Sequence, residues 1–400
     1  MRVRSGSPFW PLKDGLPFSY SSLKENLTCD VAVVGGGLCG SMIAYHLGEA
    51  GADAVVLDKR RIGLGSTSAS TALVLYEVDM HLSDLITLRG EKSAVRAYKL
   101  GLEAIYKIER LTKKVGGCGY IRKNSLYLAS TVADKSKLKI EYDTRRKYGF
   151  SLDYLDASQV RRKFGLEKPA ALLGHVAAQI DPYRFAYSLL GGRRGRGVDT
   201  YDMTEVVEFQ ATKTGVVLTT DGGFQIKARK AVFATGYETK EKEARKAVDL
   251  KSSYAIVTEP VSEVLAGKRD IPIIWETARP YFYVRTTRDG RIMVGGEDED
   301  FVNPTRRDNL ISSKATTLLN RTKRMYPDLD LEIDYAWAGT FGETEDSLPF
   351  IGEIEGYPNA YFALCYGANG TNFALMASEI IRDMYLNRPN DDAEIFRFGR

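Results

Sequence analysis

The segment Asp30-Val31-Ala32-Val33-Val34-Gly35-Gly36-Gly37-Leu38-Cys39-Gly40 constrains this chain more than any other stretch. An apolar run of strand length empties into glycines, and Ser41-Met42-Ile43-Ala44-Tyr45-His46-Leu47 continues it as a helix. A second apolar run, Ala54-Val55-Val56-Leu57, ends in Asp58. Strand, glycine turn, helix, strand and acid, in that order, build a pocket for a dinucleotide. Gly35 permits the tight turn. Gly37 lets backbone N–H groups approach a pyrophosphate, and Gly40 lets the helix lie close on the sheet. The positive end of the helix, with Leu38 and Cys39 in its first turn, faces the phosphates. Asp58 is placed to accept hydrogen bonds from ribose hydroxyls, which argues against a 2′-phosphate; Lys59, Arg60 and Arg61 beside it weaken that exclusion. The alternative is an ordinary strand–helix turn without a ligand.

Four hundred residues suffice for two domains. A net charge of +4 implies no strong pull toward nucleic acid. No apolar run approaches the roughly 18 residues of a membrane span. The four cysteines show no metal or redox spacing, and none of the three histidines is paired at helical spacing, so no metal site is expected. Free thiols in a reducing cytoplasm are the expectation.

Residues 1–27 read as an irregular surface leader. Past Asp58, the loop Gly63-Leu64-Gly65-Ser66-Thr67-Ser68-Ala69-Ser70-Thr71 is either an idle linker or a second phosphate-contacting loop with hydroxyl donors. Helical patterns follow near 91–113 and 133–148, with an alternating strand between them at about 120–128. Short strands are expected at 204–209, 216–219 and 224–228, then an apolar strand, Ala231-Val232-Phe233-Ala234, ending in Thr235-Gly236. Antiparallel aromatic strands read through 250–335, and a last helix through about 371–385, behind Gly367-Ala368-Asn369-Gly370. The nucleotide fold is thus interrupted.

These pieces together resemble the glycine oxidase/D-amino acid oxidase family of FAD-dependent oxidoreductases, over roughly residues 28–390. Three motifs carry the resemblance: the Gly35–Gly40 turn with Asp58, the Ala234-Thr235-Gly236 strand end, and Trp337-Ala338-Gly339 with Thr344-Glu345-Asp346-Ser347-Leu348-Pro349-Phe350-Ile351-Gly352 and Gly367-Ala368-Asn369-Gly370. The resemblance implies an α/β fold, a Rossmann-like FAD-binding domain interleaved with an α+β antiparallel-sheet substrate domain. The expected segments are 28–90 with 150–248 and 336–390 for the first, 91–149 with 249–335 for the second, and 391–400 as a tail. It further implies non-covalent FAD, held by the residues already named and by Lys59, Arg60, Ser66, Thr67, Ser68, Val206 (through its backbone, at adenine), Thr235, Gly236, Gly339, Gly367, Ala368, Asn369, Gly370 and Thr371. The dipole of the last helix would stabilise negative charge on the reduced ring.

The departures from the family narrow the substrate. Where amino acid oxidases of the family place an arginine that forks onto the substrate carboxylate, this chain has Phe341. Ala368, Ala72, Leu75 and Ala374 stand at other positions where members keep cations. A buried carboxylate without a cation costs several kcal/mol, on the order of 3, so a free α-amino acid is disfavoured. Arg285 is the residue able to rescue an acid substrate; its plain alternative is a strand residue paired elsewhere. Met293 stands where some members keep a lysine that activates oxygen, which tilts toward another electron acceptor. Tyr254, Tyr283, Phe341 and Tyr366 are candidate aromatic walls, and Glu77 or Asp79 a holder of a distal ammonium. The expected reaction is oxidation of a C–N bond of a small amine, with hydride passing to flavin N5 and the imine hydrolysing in water. Two alternatives stand beside it: an NAD-dependent dehydrogenase and a non-catalytic flavin-binding protein.

Overall fold

The computed structural model describes residues 2–191, 197–239, 248–364 and 367–400. Two sheets organise them. The first is built on the apolar run Leu27–Val34, whose neighbours Ala54–Leu57 and Gln225–Phe233 lie parallel to it. Ala360–Leu364 and Val198–Tyr201 extend the parallel stack on either side. Ala54–Leu57 and Ala360–Leu364 are buried at every position, as parallel strands covered on both sides must be. Helices Leu38–Glu49 and Gly370–Tyr385 pack on one another over this sheet. Val206–Ala211 and Val216–Thr220 form an antiparallel flap that joins at Gln225. The runs expected separately at 224–228 and 231–234 are one strand, Gln225–Phe233, because Arg229 and Lys230 sit within its ladder.

The second sheet runs in the order Arg4–Gly6, Ile333–Glu343, Asp249–Thr258, Ile292–Glu299, Phe282–Thr286, Ile273–Glu276, Ile121–Leu128, Ala170–Gln179, Leu73–Leu75, with Leu152–Asp156 also on Ala170–Gln179. Helix Ile311–Met325 buries Ala315 and Leu318 on one face. The opposite face looks toward the nucleotide fold. The alternation of each strand therefore assigns its side chains: Tyr254, Ile256, Phe282, Val284 and Val294 go under the helix, and Ala255, Trp275, Met293 and Trp337 go to the other side.

The sheets divide the chain differently from the expected segments. Leu73–Leu75, Leu152–Asp156 and Ala170–Gln179, expected in the FAD-binding domain, pair in the second sheet, as does Ile333–Glu343. Linear proximity to a nucleotide motif does not fix which sheet a later strand joins. The leader also differs from expectation. Arg4–Gly6 adds an edge strand against Trp337–Gly339, and Phe9–Asp14 is a helix with Phe9 and Trp10 buried. Pro11 is tolerated in its first turn, where no intrahelical N–H is needed. Trp10 Nε1 donates to the Ser70 carbonyl at 2.7 Å, and Trp337 Nε1 to that of Ala69 at 2.8 Å. Two indoles thus clamp the hydroxyl-rich loop. Trp10→Ala is expected to lower stability by about 3–5 kcal/mol, measured by denaturant unfolding.

Candidate active site

Two adjoining cavities lie between the sheets and share Ser66, Ser70, Tyr237, Gly367 and Ala368. The larger, about 380 Å³, runs along the glycine turn. Gly35 has φ +110°, a conformation that L side chains rarely adopt, and a Cβ on Gly40 would collide with the Gly35 carbonyl. A Cβ on Gly37 would stand 3.0 Å from Thr67 Oγ1. The cradle is therefore one that side chains would fill. The Leu38 N–H, in the first turn of the helix, donates to Thr67 Oγ1 at 2.9 Å, which fixes the hydroxyl loop over the helix start. Asp58 accepts from the N–H groups of Gly36 and Arg60, both at 2.8 Å. Burial pushes its carboxyl up to about 6 against those two hydrogen bonds.

Lys59 and Arg60 line the same cavity beside Asp58 and converge on Glu238, at 3.0 Å and 2.7 Å. Burial raises Glu238, but the hydrogen bonds from Arg60 and Lys59 outweigh it and hold the carboxyl at about 2. A carboxyl depressed in the folded state stabilises fully above its unfolded value of about 4.3 and loses that contribution as pH falls through the folded value. Melting temperature should accordingly fall less steeply between about pH 5 and pH 2 in Glu238→Gln than in wild type.

Val206, Thr235, Gly236, Gly367, Ala368, Gly370 and Thr371 also line this cavity, with Leu38, Cys39, Ser66 and Thr67. Asn369 stands at the N-cap position of helix Gly370–Tyr385 without a side-chain cap bond: its Nδ2 donates to the Leu75 and Glu77 carbonyls at 2.6 and 2.9 Å, so it ties the turn to the neighbouring strand segment. Ser68 turns inward, its Oγ donating to the Gly65 carbonyl at 2.8 Å, and lines neither cavity.

The smaller cavity, about 190 Å³, has a floor of Ala69–Leu73, a ceiling from the second sheet and the Gly367–Asn369 turn at one end. Tyr283 and Phe341 line it, joined by Trp275, Tyr281, Tyr237 and Trp337; Gly339, expected at the cofactor, lines this cavity and not the larger one. Burial pushes the Tyr283 hydroxyl up to about 12. Tyr254 is a correction in part. It is among the residues that line the cavity, but its ring lies on the other side of the sheet, in the cluster under helix Ile311–Met325 with Lys314 Nζ 5.7 Å from its centroid. Arg285 is a second correction. It is buried away from the cavity, where Nη1 donates to the Ala72 and Ile180 carbonyls at 2.7 and 3.0 Å and the guanidinium lies over Trp10. Burial lowers it to about 9, which leaves it charged at neutral pH. Tyr366, like Cys365, lies outside the described residues.

Among the described residues the smaller cavity is lined by no lysine, arginine or histidine, but by the carboxylates of Glu77, Asp79 and Asp298. Glu77 is neutralised from behind: Ser125 Oγ donates to it at 2.8 Å and Arg145 stands 3.5 Å away, shared with Glu141. Asp79 takes hydrogen bonds from the Tyr281 hydroxyl and from the Ala368 N–H, which places it at the turn shared by both cavities; burial and then Glu343 raise its carboxyl. Burial and Asp79 hold the Tyr281 hydroxyl well above the tyrosine range, so it remains a donor. Arg279, exposed, covers the Tyr281 ring and donates to its hydroxyl without lining the cavity. Burial lifts Asp298 to about 7, with Ser253 hydrogen-bonded to it.

Asp298, Tyr281 and Trp275 were not signalled by the sequence. Strict alternation from Met293 would send Glu297, not Asp298, into the cavity. A bulge opposite Ser253 intervenes: Tyr254 pairs with Gly296 and Ser252 with Glu299. Gly296 and Glu297 both take positive φ, +129° and +56°. Glu297 and Glu299 then both face helix Ile311–Met325, pairing with Arg321 at 2.7 Å and Lys314 at 2.6 Å, and Asp298 is re-aimed inward.

Comparison with known proteins agrees with this geometry. Residues 30–384 match the DAO family, described as FAD dependent oxidoreductase. The chain is 28% identical over 388 residues to gamma-glutamylputrescine oxidoreductase of Escherichia coli K12, covering 94% of this chain and 87% of that protein. It is 24% identical to glycine oxidase of Geobacillus kaustophilus, covering 89% and 92%. The crystal structure of glycine oxidase from Geobacillus kaustophilus superposes with a TM-score of 0.79 at 20% identity, over 93% of this chain and 99% of that one. No helix among the described residues is long and apolar enough to cross a membrane. The glycine cradle with Asp58 fits an adenine dinucleotide, and the family match decides against the nicotinamide alternative: the chain belongs to the DAO family and is an FAD-dependent oxidoreductase.

Proposed function

We propose that this enzyme oxidises a C–N bond of a small amine that carries no carboxylate beside the reacting carbon. The observation that carries the reading is the small cavity itself, which offers carboxylates and aromatic rings and, among the described residues, no cation. An α-carboxylate there would be desolvated against like charge, whereas an ammonium would be paired. The aromatic faces of Trp275, Tyr281 and Tyr283 suit the same ion.

In this reading Gly35, Gly37 and the N-terminus of helix Leu38–Glu49 hold the pyrophosphate, Asp58 the ribose, and the Val206 backbone the adenine. Non-covalent attachment is part of this reading: among the described residues no histidine lines either cavity. When bound, FAD supplies the two-electron acceptor for the C–N bond. Asp79, at the shared turn, holds the reacting ammonium and takes the proton it must lose before its α-carbon can give up hydride. The Tyr281 hydroxyl and Ala368 N–H keep the carboxylate aimed. Tyr283 and Phe341 exclude water around the substrate carbon. The imine leaves for water, where hydrolysis gives a carbonyl compound and releases the nitrogen. Oxygen or another electron acceptor completes the cycle, and the unbridged thiols of Cys29 and Cys118 suit a cytoplasmic setting.

The test is product analysis. Turnover with a primary amine should yield the matching aldehyde and ammonia in equal amounts. Consumption of amine without a carbonyl product would refute C–N oxidation. A purely flavin-binding protein would leave both undetected.

A further inference from the structure

Asp298 has no role in the reaction just described, and its setting is unusual. Its neighbours on the strand are all engaged: Glu297 with Arg321 and Lys314, Glu299 with Lys314. Asp298 has no ion-pair partner among the described residues, and its Oδ1 is buried without a hydrogen bond. The charged groups around it do not compensate. Glu343 and Asp79 are of like sign, and Lys251 is held by Glu343 at 2.8 Å and Asp300 at 3.3 Å. A second acceptor in the same cavity is also unmet: Glu77, 3% exposed, has Oε2 without a partner. Buried acceptors left without donors cost stability, and a bulge that turns a carboxylate inward is kept where it re-aims a side chain for use. What is missing from this cavity is a ligand bearing N–H donors and positive charge at a point other than Asp79.

We propose that the substrate is a short terminal diamine, its second ammonium held by Asp298. This rests on the amine reading above and names its substrate class. Asp79 takes the reacting end at the Gly367–Asn369 turn, and Asp298, beside Ser253 on the second sheet, takes the other. A cavity of about 190 Å³ limits the chain between them to a few carbons. The positive charge distinguishes this substrate from a monoamine of equal length, for which Asp298 remains unpaired.

The test compares diaminobutane with butylamine on the holoenzyme. Anaerobic mixing gives the half-saturating amine concentration and the limiting rate of flavin bleaching separately. Diaminobutane should half-saturate on the order of 10- to 100-fold below butylamine. Asp298→Asn should raise that concentration for diaminobutane by a similar factor, leaving the limiting rate and the butylamine values within about threefold. Diaminobutane should also raise the melting temperature of wild type more than butylamine does, a readout that needs no variant and no turnover. Equal response to the two amines, or equal weakening of both by Asp298→Asn, overturns the second-cation assignment while leaving amine oxidation standing. Bleaching by neither amine overturns the amine reading itself.

Discussion

Gly37→Val is expected to purify without its yellow cofactor. A Cβ at position 37 already stands 3.0 Å from Thr67 Oγ1, and the two further methyl groups of valine project into the space where backbone N–H groups meet the pyrophosphate. The hydroxyl that accepts from the Leu38 N–H must move, and the loop it anchors moves with it. Overpacking with loss of a charge-assisted contact costs roughly 2–4 kcal/mol, about a hundredfold or more in FAD affinity. Position 37 has an ordinary φ, unlike Gly35, so the strand and helix around it should still form. The check is the flavin absorbance of purified protein set beside its circular dichroism. A folded variant that retains stoichiometric FAD would show the turn lies elsewhere.

Asp79→Asn should be the most damaging substitution in the substrate cavity. The side chain remains the right size and can still accept from Tyr281 and Ala368, so cofactor binding and fold should survive. What disappears is the negative charge opposite the substrate ammonium and the acceptor for its proton. Removing one member of a desolvated, hydrogen-bonded charge pair costs about 2–5 kcal/mol, so kcat/KM for an amine should fall by roughly thirty- to a few thousandfold. Steady-state kinetics against pH reads this. Wild type should lose activity at low pH as the substrate-facing carboxyl protonates, and the variant should lack that limb. A variant with wild-type kcat/KM would remove Asp79 from the mechanism.

The nucleotide half of this molecule was legible because its chemistry is local. Gly35, Gly37, Gly40 and Asp58 lie within one supersecondary unit, and each answers a backbone demand that only that residue type meets. The last helix was legible for the same reason, through the glycines ahead of it. The substrate cavity was not, because its walls come from distant strands whose facing depends on register. Tyr254 borders the cavity with its ring on the other face: nothing local says whether an aromatic in a sheet covered on both sides looks up or down. Arg285 is on the cavity face, yet the Trp10 helix and the Ala72 carbonyl occupy the space in front of it. In the sequence that leader helix reads as irregular chain. Asp298 was hidden twice, by a bulge that breaks the period of two and by an acidic run, Glu297-Asp298-Glu299-Asp300, that reads as solvated surface. Asp79, directly after the clamped loop, reaches the cavity because its position follows from the chain path.

The central claim is that the cavity beside the Gly367–Asn369 turn accepts a cation and rejects an α-carboxylate. Anaerobic titration of the purified yellow protein with matched pairs, each an α-amino acid and the amine that lacks only its carboxylate, tests it most directly. Bleaching by the amines, and none at comparable concentration by the amino acids, is the expected result. Bleaching by the amino acids alone would contradict it.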